Sequence, residues 1–134
     1  MKRLLGLALF AAFATSAIAC NDTTGPGNAV AGTYTLRTIG GVTPPITVSG
    51  YTVLGGQIIL DAAGNYTGVT TLRTLGGGSQ FDERIDGYWT VSGNQIQLYD
   101  QTQPNLPYVG TITNSTITIL AFNSASGADE VYSK

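Results

Sequence analysis

The sequence predicts an all-β domain, a small antiparallel up-and-down barrel of about eight strands. Three observations predict it. From Val30 onward, short runs rich in Thr, Ile, Val and Tyr alternate in polarity with a period of two. Gly, Asn, Asp and Ser separate these runs at the spacing of hairpin turns. No segment of this region keeps a helical period over ten residues. Strands joined in chain order leave two exposed edges unless the sheet closes on itself, so closure is the expected form. A β-sandwich is the alternative, because strand count alone does not separate the two.

The chain opens "MKRLLGLALFAAFATSAIAC". Lys2 and Arg3 form a short positive region, and Leu4 to Ile18 then run without a charge. That length suits a secretory leader and falls short of the roughly 18–20 apolar residues that cross a bilayer. Residues 1–19 are therefore read as a signal peptide. The small residues Ala17-Ile18-Ala19 come immediately before Cys20, the single cysteine of the chain. "AIAC" resembles the bacterial lipobox, whose cysteine becomes the new N-terminus and carries acyl chains. Lipid attachment is assigned to Cys20, which has no cysteine to pair with in an oxidising compartment. Plain signal cleavage after Ala19, with secretion, is the alternative. Two or more acyl chains hold a protein stably, at about 0.8 kcal/mol per buried methylene. The expected location is the bacterial cell envelope, at the outer membrane or its periplasmic face. Residues 20–29 begin "CNDTTGPGN", which offers no large apolar side chain to pack and reads as a flexible tether. Extended from Cys20 to Asn28, it would reach about 25–30 Å.

Residues 30–134 form the folded domain. In "GTYTLRTIGG", Tyr34 and Leu36 alternate with Thr33, Thr35 and Arg37. In "GGQIILDAAGNYTGVTTLRT", Ile58 and Leu60 share a face, "DAAGN" turns, and Tyr66 opens the next strand. "IDGYWTVSGNQIQLYD" is the clearest hairpin: Ile85, Trp89 and Val91 take one face and Ile96 and Leu98 return on the same side. "YVGTITNSTITIL" repeats the pattern with Ile112, an Asn114-Ser115 turn, Ile117 and Ile119, and "DEVYSK" closes the series. "LGGGSQFDER" and "DQTQPNLP" are expected as exposed loops.

These pieces carry a resemblance. "AGTYTLRTIGGVTPP", "GQIILDAAGNYTGVTTLRT", "DGYWTVSGNQIQL", "YVGTITNSTITI" and the terminal "VYSK" resemble, in that order, short bacterial lipocalin-like lipoprotein domains. The resemblance covers nearly all of residues 31–134 and implies a lipocalin-like barrel. Larger lipocalins carry Gly-x-Trp in the first strand, closed by a basic residue near the C-terminus. Gly32-Thr33-Tyr34 and Lys134 stand at those places here.

Composition narrows the function. Without its leader the chain keeps four basic residues against eight acidic ones, a formal charge of −4. Nucleic acid is not expected as a partner, since the basic footprint it requires is missing. The chain has no histidine, so Ser-His-Asp and Cys-His catalysis and the usual zinc, haem and iron–sulfur ligand sets are out of reach. No cofactor, metal ligand or catalytic residue is assigned. Asp82 and Asp86 are the one carboxylate pair worth weighing for glycoside hydrolysis. Four residues apart on an alternating strand, their Cα atoms would lie roughly 13 Å apart on one side. Asp82, Glu83, Arg84 and Asp86 are read instead as a solvated hairpin shoulder, where charges keep an edge from pairing with another chain.

Two functional readings remain. An eight-stranded barrel can be filled by its own side chains or can hold one small molecule. Tyr34, Leu36, Ile58, Leu60, Tyr66, Leu72, Trp89, Ile96, Leu98, Ile112 and Ile117 are expected to point inward. If the interior is hollow, Tyr34, Leu36, Tyr66 and Trp89 would contact a small hydrophobic ligand. If it is packed, the domain is a structural or protein-interaction module displayed on the envelope.

Overall fold

The computed structural model describes residues 29–121, 124 and 126–134. The leader, Cys20 and the tether up to Asn28 lie outside the described residues. Nine strands follow in chain order: β1 (Gly32–Ile39), β2 (Ile46–Val48), β3 (Tyr51–Leu60), β4 (Asn65–Thr74), β5 (Gln80–Ser92), β6 (Gln95–Asp100), β7 (Tyr108–Ile112), β8 (Thr116–Ile119) and β9 (Glu130–Ser133). Every pairing is antiparallel. Consecutive strands pair from β2 to β9, and β1 lies between β9 and β3, which closes eight of the nine strands into a barrel. The short β2 sits outside the ring, paired with β3 alone. The sheet is thus a closed up-and-down barrel and not a sandwich.

Turn chemistry sets the hairpins. Ser49 and Gly50 join β2 to β3 with φ of 49° and 89°, the positive pair that a two-residue hairpin loop demands. In the β3–β4 turn, the Asp61 carboxylate accepts from the Asn65 backbone N–H at 2.8 Å and from its side-chain amide at 2.9 Å. The same turn is fixed to β5. The Trp89 indole N–H donates to the Asp61 carbonyl at 3.1 Å, and the Trp89 backbone N–H to the Gly64 carbonyl at 2.8 Å.

Two bulges rotate the inner face. One lies between Leu36 and Thr38 in β1, and the other between Val53 and Gly55 in β3. Each inserts a residue and so reverses which alternate positions point inward. Leu36 and Ile39 are therefore both buried, as are Val53 and Ile58.

The expected loop "LGGGSQFDER" is corrected. Only Leu75 to Ser79 turn; Gln80 to Arg84 are the first part of the thirteen-residue strand β5. A run of polar residues forms a strand here because it pairs in unbroken register with β4, from Arg73↔Gln80 to Asn65↔Tyr88. Gln101 to Pro107 do form a loop, between β6 and β7.

All eleven residues expected to point inward are buried. They are not spread evenly. The start of β1, the β3–β4, β5–β6 and β7–β8 turns and the end of β9 meet at one end of the barrel. That end holds the completely enclosed side chains Tyr34, Leu60, Ile96 and Ile117. Lys134 seals it. Its ammonium donates to the Ala31 carbonyl at 2.9 Å and stands 4.9 Å from the centre of the Tyr34 ring. Gly32, at φ 140°, lets the lysine stem pass, since a Cβ there would lie 3.1 Å from Lys134 Cε. The Tyr34 hydroxyl donates to the Val30 carbonyl.

Candidate functional site

The opposite end of the barrel is hollow. There the inner face of β4 reads Tyr66, Gly68, Thr70 and Leu72, and that of β5 reads Gly87, Ile85, Glu83 and Phe81 as it approaches the rim. Glycine and threonine stand where the closed end has isoleucine and leucine. The missing volume appears as a cavity of about 210 Å³. Leu36, Ile58 and Leu98 give it apolar walls and Leu72 adds another beside Phe81 toward the rim, while Tyr51, Tyr66, Tyr108 and Tyr132 bring in four phenols. Glu83 and Glu130 add carboxylates near the opening.

The interior is accordingly packed at one end and open at the other. Leu36 and Tyr66, two of the four residues expected to contact a ligand, line the cavity. Tyr34 and Trp89, the other two, lie in the closed half: Tyr34 beneath Lys134, and Trp89 bonded to the Asp61 turn. They support the cavity from below and do not line it. Tyr108, Tyr132 and Glu130 went unassigned in the sequence, and Glu83 was read as part of a solvated charged shoulder. For Glu83 a signal existed, because stepping back by twos from Trp89 through Gly87 and Ile85 reaches it. Grouping it with its charged neighbours hid that parity. In the structure Asp82, Arg84 and Asp86 face outward, and Glu83 faces the interior with Ile85.

The outward carboxylates are engaged on the surface. Asp86 pairs with Arg84 at 2.8 Å and accepts from the Thr67 hydroxyl at 2.7 Å, and Asp82 accepts from the Thr71 hydroxyl at 2.7 Å. Both lie on the outer face of β5, away from the cavity. Hydrogen bonds from Arg84 and then Thr67 hold the Asp86 carboxyl below its ordinary range.

Inside, the phenols move the other way. Burial pushes Tyr66 up, helped by Tyr108 and by the charges of Asp100 and Asp86. Burial also raises Tyr132, with the adjacent Glu130 charge and the 2.9 Å hydrogen bond to it adding to the effect. Tyr108 is raised by burial, then by Asp100, Glu83 and Glu130, so three carboxylates act on this one ring. Tyr34 is raised by burial alone. Tyr66 differs in one respect. It is only 4% exposed, yet its hydroxyl has no hydrogen-bond partner among the described residues. An enclosed hydroxyl left unpaired costs about 1–3 kcal/mol.

These shifts predict alkaline unfolding. A tyrosine whose folded pKa is raised adds stability that is complete below its unfolded value of 10.0 and is lost as pH rises toward the folded value. With Tyr66 and Tyr132 both holding protons that the unfolded chain has released, stability should fall by roughly 2.7 kcal/mol per pH unit above about pH 11. No histidine titrates between pH 5 and 9, so the curve should be flat there. Urea midpoints measured from pH 5 to 12 check this. A midpoint unchanged at pH 12 would show that the buried phenols ionise as freely as in the unfolded chain.

Comparison with family models, with curated proteins and with solved structures finds no match to this chain.

Proposed function

We propose that the chain is a cell-envelope lipoprotein, tethered through Cys20, whose lipocalin-like barrel holds one small hydrophobic molecule. The observation that carries the binding reading is the cavity of about 210 Å³ lined by Tyr66, an enclosed residue with an unsatisfied hydroxyl. A dry apolar void of about 150 Å³ is already enough to bind benzene, whereas drug-sized ligands occupy about 300–1,000 Å³. The volume here suits a single ring or a short branched chain. The arrangement of Gly32, Tyr34 and Lys134 at the closed end is similar to that of the lipocalins and supports that part of the reading. Anchoring rests on the charged and apolar leader and on the small residues before Cys20.

A second reading, an envelope-displayed interaction module, draws on the rim of the open end. Val42, Leu75, Phe81 and Leu106 are exposed there on separate elements. Loops on a rigid scaffold often carry contact surfaces.

One experiment tests both. The chain and its Cys20→Ser variant are expressed with the leader in a bacterial host. The parent should fractionate with membranes and carry acyl mass on its N-terminal peptide, and the variant should be soluble. Native mass spectrometry of the soluble variant should then show a defined extra mass released on denaturation. An unacylated parent would remove the anchor. A bare mass, unchanged across a panel of small hydrophobic molecules, would favour the interaction module.

A further inference from the structure

The cavity has a charge character that a purely hydrophobic ligand would not use. Glu83 comes from β5 and Glu130 from β9, four strands apart in an eight-strand ring, so they face each other from opposite walls. The Glu130 carboxylate accepts from the Tyr132 hydroxyl at 2.9 Å, a neutral partner that leaves its charge in place. Among the described residues, no basic side chain lines the cavity. The cations of the described chain lie elsewhere. Arg84 pairs with Asp86 outside, Arg37 donates to the Ser133 hydroxyl at 2.7 Å, Arg73 shares the outer face of β4, and Lys134 seals the closed end. The Arg84–Asp86 contact is the one ion pair among the described residues. A third carboxylate, Asp100, stands at the end of β6 and is held by the backbone N–H and hydroxyl of Thr102 at 2.7 and 2.8 Å. Four tyrosines, Tyr51, Tyr66, Tyr108 and Tyr132, line the same cavity as Glu83 and Glu130, and an aromatic face attracts a cation.

Building on the small-molecule reading above, we propose that the ligand is a small organic cation, with its apolar body against the apolar walls of the cavity and its ammonium group between Glu83 and Glu130. An independent feature supports the site. Tyr66 lines the same cavity, its hydroxyl is shielded from solvent with no hydrogen-bond partner among the described residues, and a neutral phenol can accept a hydrogen bond from an ammonium N–H. An anion of the same shape would meet Glu83 and Glu130 with no basic side chain among the lining residues to offset them. A neutral alcohol would bury the same area and could donate one hydrogen bond to a carboxylate, without the charge attraction that an ammonium adds.

The test uses three probes with one skeleton: 2-phenylethylammonium, 2-phenylethanol and 3-phenylpropionate. Each is titrated calorimetrically into the exported Cys20→Ser chain at low salt. The ammonium should bind about tenfold more tightly than the alcohol, and the carboxylate should not bind detectably. In a Glu83→Gln, Glu130→Gln double variant, with its fold checked by its urea midpoint, the ammonium should fall to the level of the alcohol. Equal binding of ammonium and alcohol to the parent chain would overturn the cation assignment and leave the small-molecule reading standing. So would undiminished ammonium binding by the double variant. Failure of all three probes to bind would overturn both.

Discussion

Replacing Tyr34 with alanine should lower the stability of the barrel by about 3–5 kcal/mol. The residue is completely enclosed and lies where β1 meets β3, opposite Ile58. Truncation would leave a void among Leu60, Ile96 and Ile117, none of which has solvent beside it from which to collapse. It would also remove the ring beneath the Lys134 ammonium and the hydroxyl bonded to the Val30 carbonyl. Tyr34→Phe separates these contributions. It keeps the ring and should cost about 1 kcal/mol, the net worth of one hydrogen bond. Urea unfolding of both variants makes the measurement. An alanine variant no weaker than the phenylalanine one would mean that the closed end is not the packed half of the barrel.

Gly87→Ala should be nearly as damaging for the opposite reason, excess of matter in place of its loss. Gly87 sits on the inner face of β5, opposite Tyr66 on one side and Asp100 on the other. A Cβ there would collide with the Tyr99 carbonyl oxygen and stand 2.7 Å from Tyr66 Cε1 and 2.8 Å from the Tyr99 carbonyl carbon. Backbone cannot rotate away as a side chain can, so β5 and β6 would have to part. A loss of about 3 kcal/mol or more is expected, with the Tyr66 ring displaced from the cavity wall. Gly55→Ala is the control. It carries no unusual φ, and a Cβ there meets nothing within 4 Å. It should change stability by no more than about 0.5 kcal/mol. Equal urea midpoints for the two variants would sink the steric account.

The inner face was legible because alternation is a local property. Trp89 and Val91 lead across the Ser92–Asn94 turn to Ile96 and Leu98, and no knowledge of the rest of the barrel is needed to follow it. The bulges were not legible. A single inserted residue reverses the parity, so Ile39 and Val53 enter the core from positions out of step with Leu36 and Ile58 on their own strands. The strand character of Gln80 to Arg84 was hidden too, since it comes from pairing with β4 and not from apolar content. The cavity was least legible of all. It arises from the small side chains of Gly68 and Thr70 on β4, with Glu83 of β5 opposite Thr70, and from the bulky residues standing at the other end. Leu36 and Tyr66 could be found from their own strand patterns. Tyr108 and Tyr132 become cavity residues only once β7 and β9 are placed around the ring.

Both tails of the domain leave from the sealed base. β1 starts there, β9 finishes there, and Lys134 ties the two by its bond to the Ala31 carbonyl. A barrel held to a bilayer from that base would stand like a cup on its stem, mouth outward. Its cargo would then be exchanged with the surrounding water, and the lipid beneath would serve as a floor, not as a source. Its rim, with Phe81 and Leu106 exposed, would be the first part of the molecule that a neighbouring surface meets.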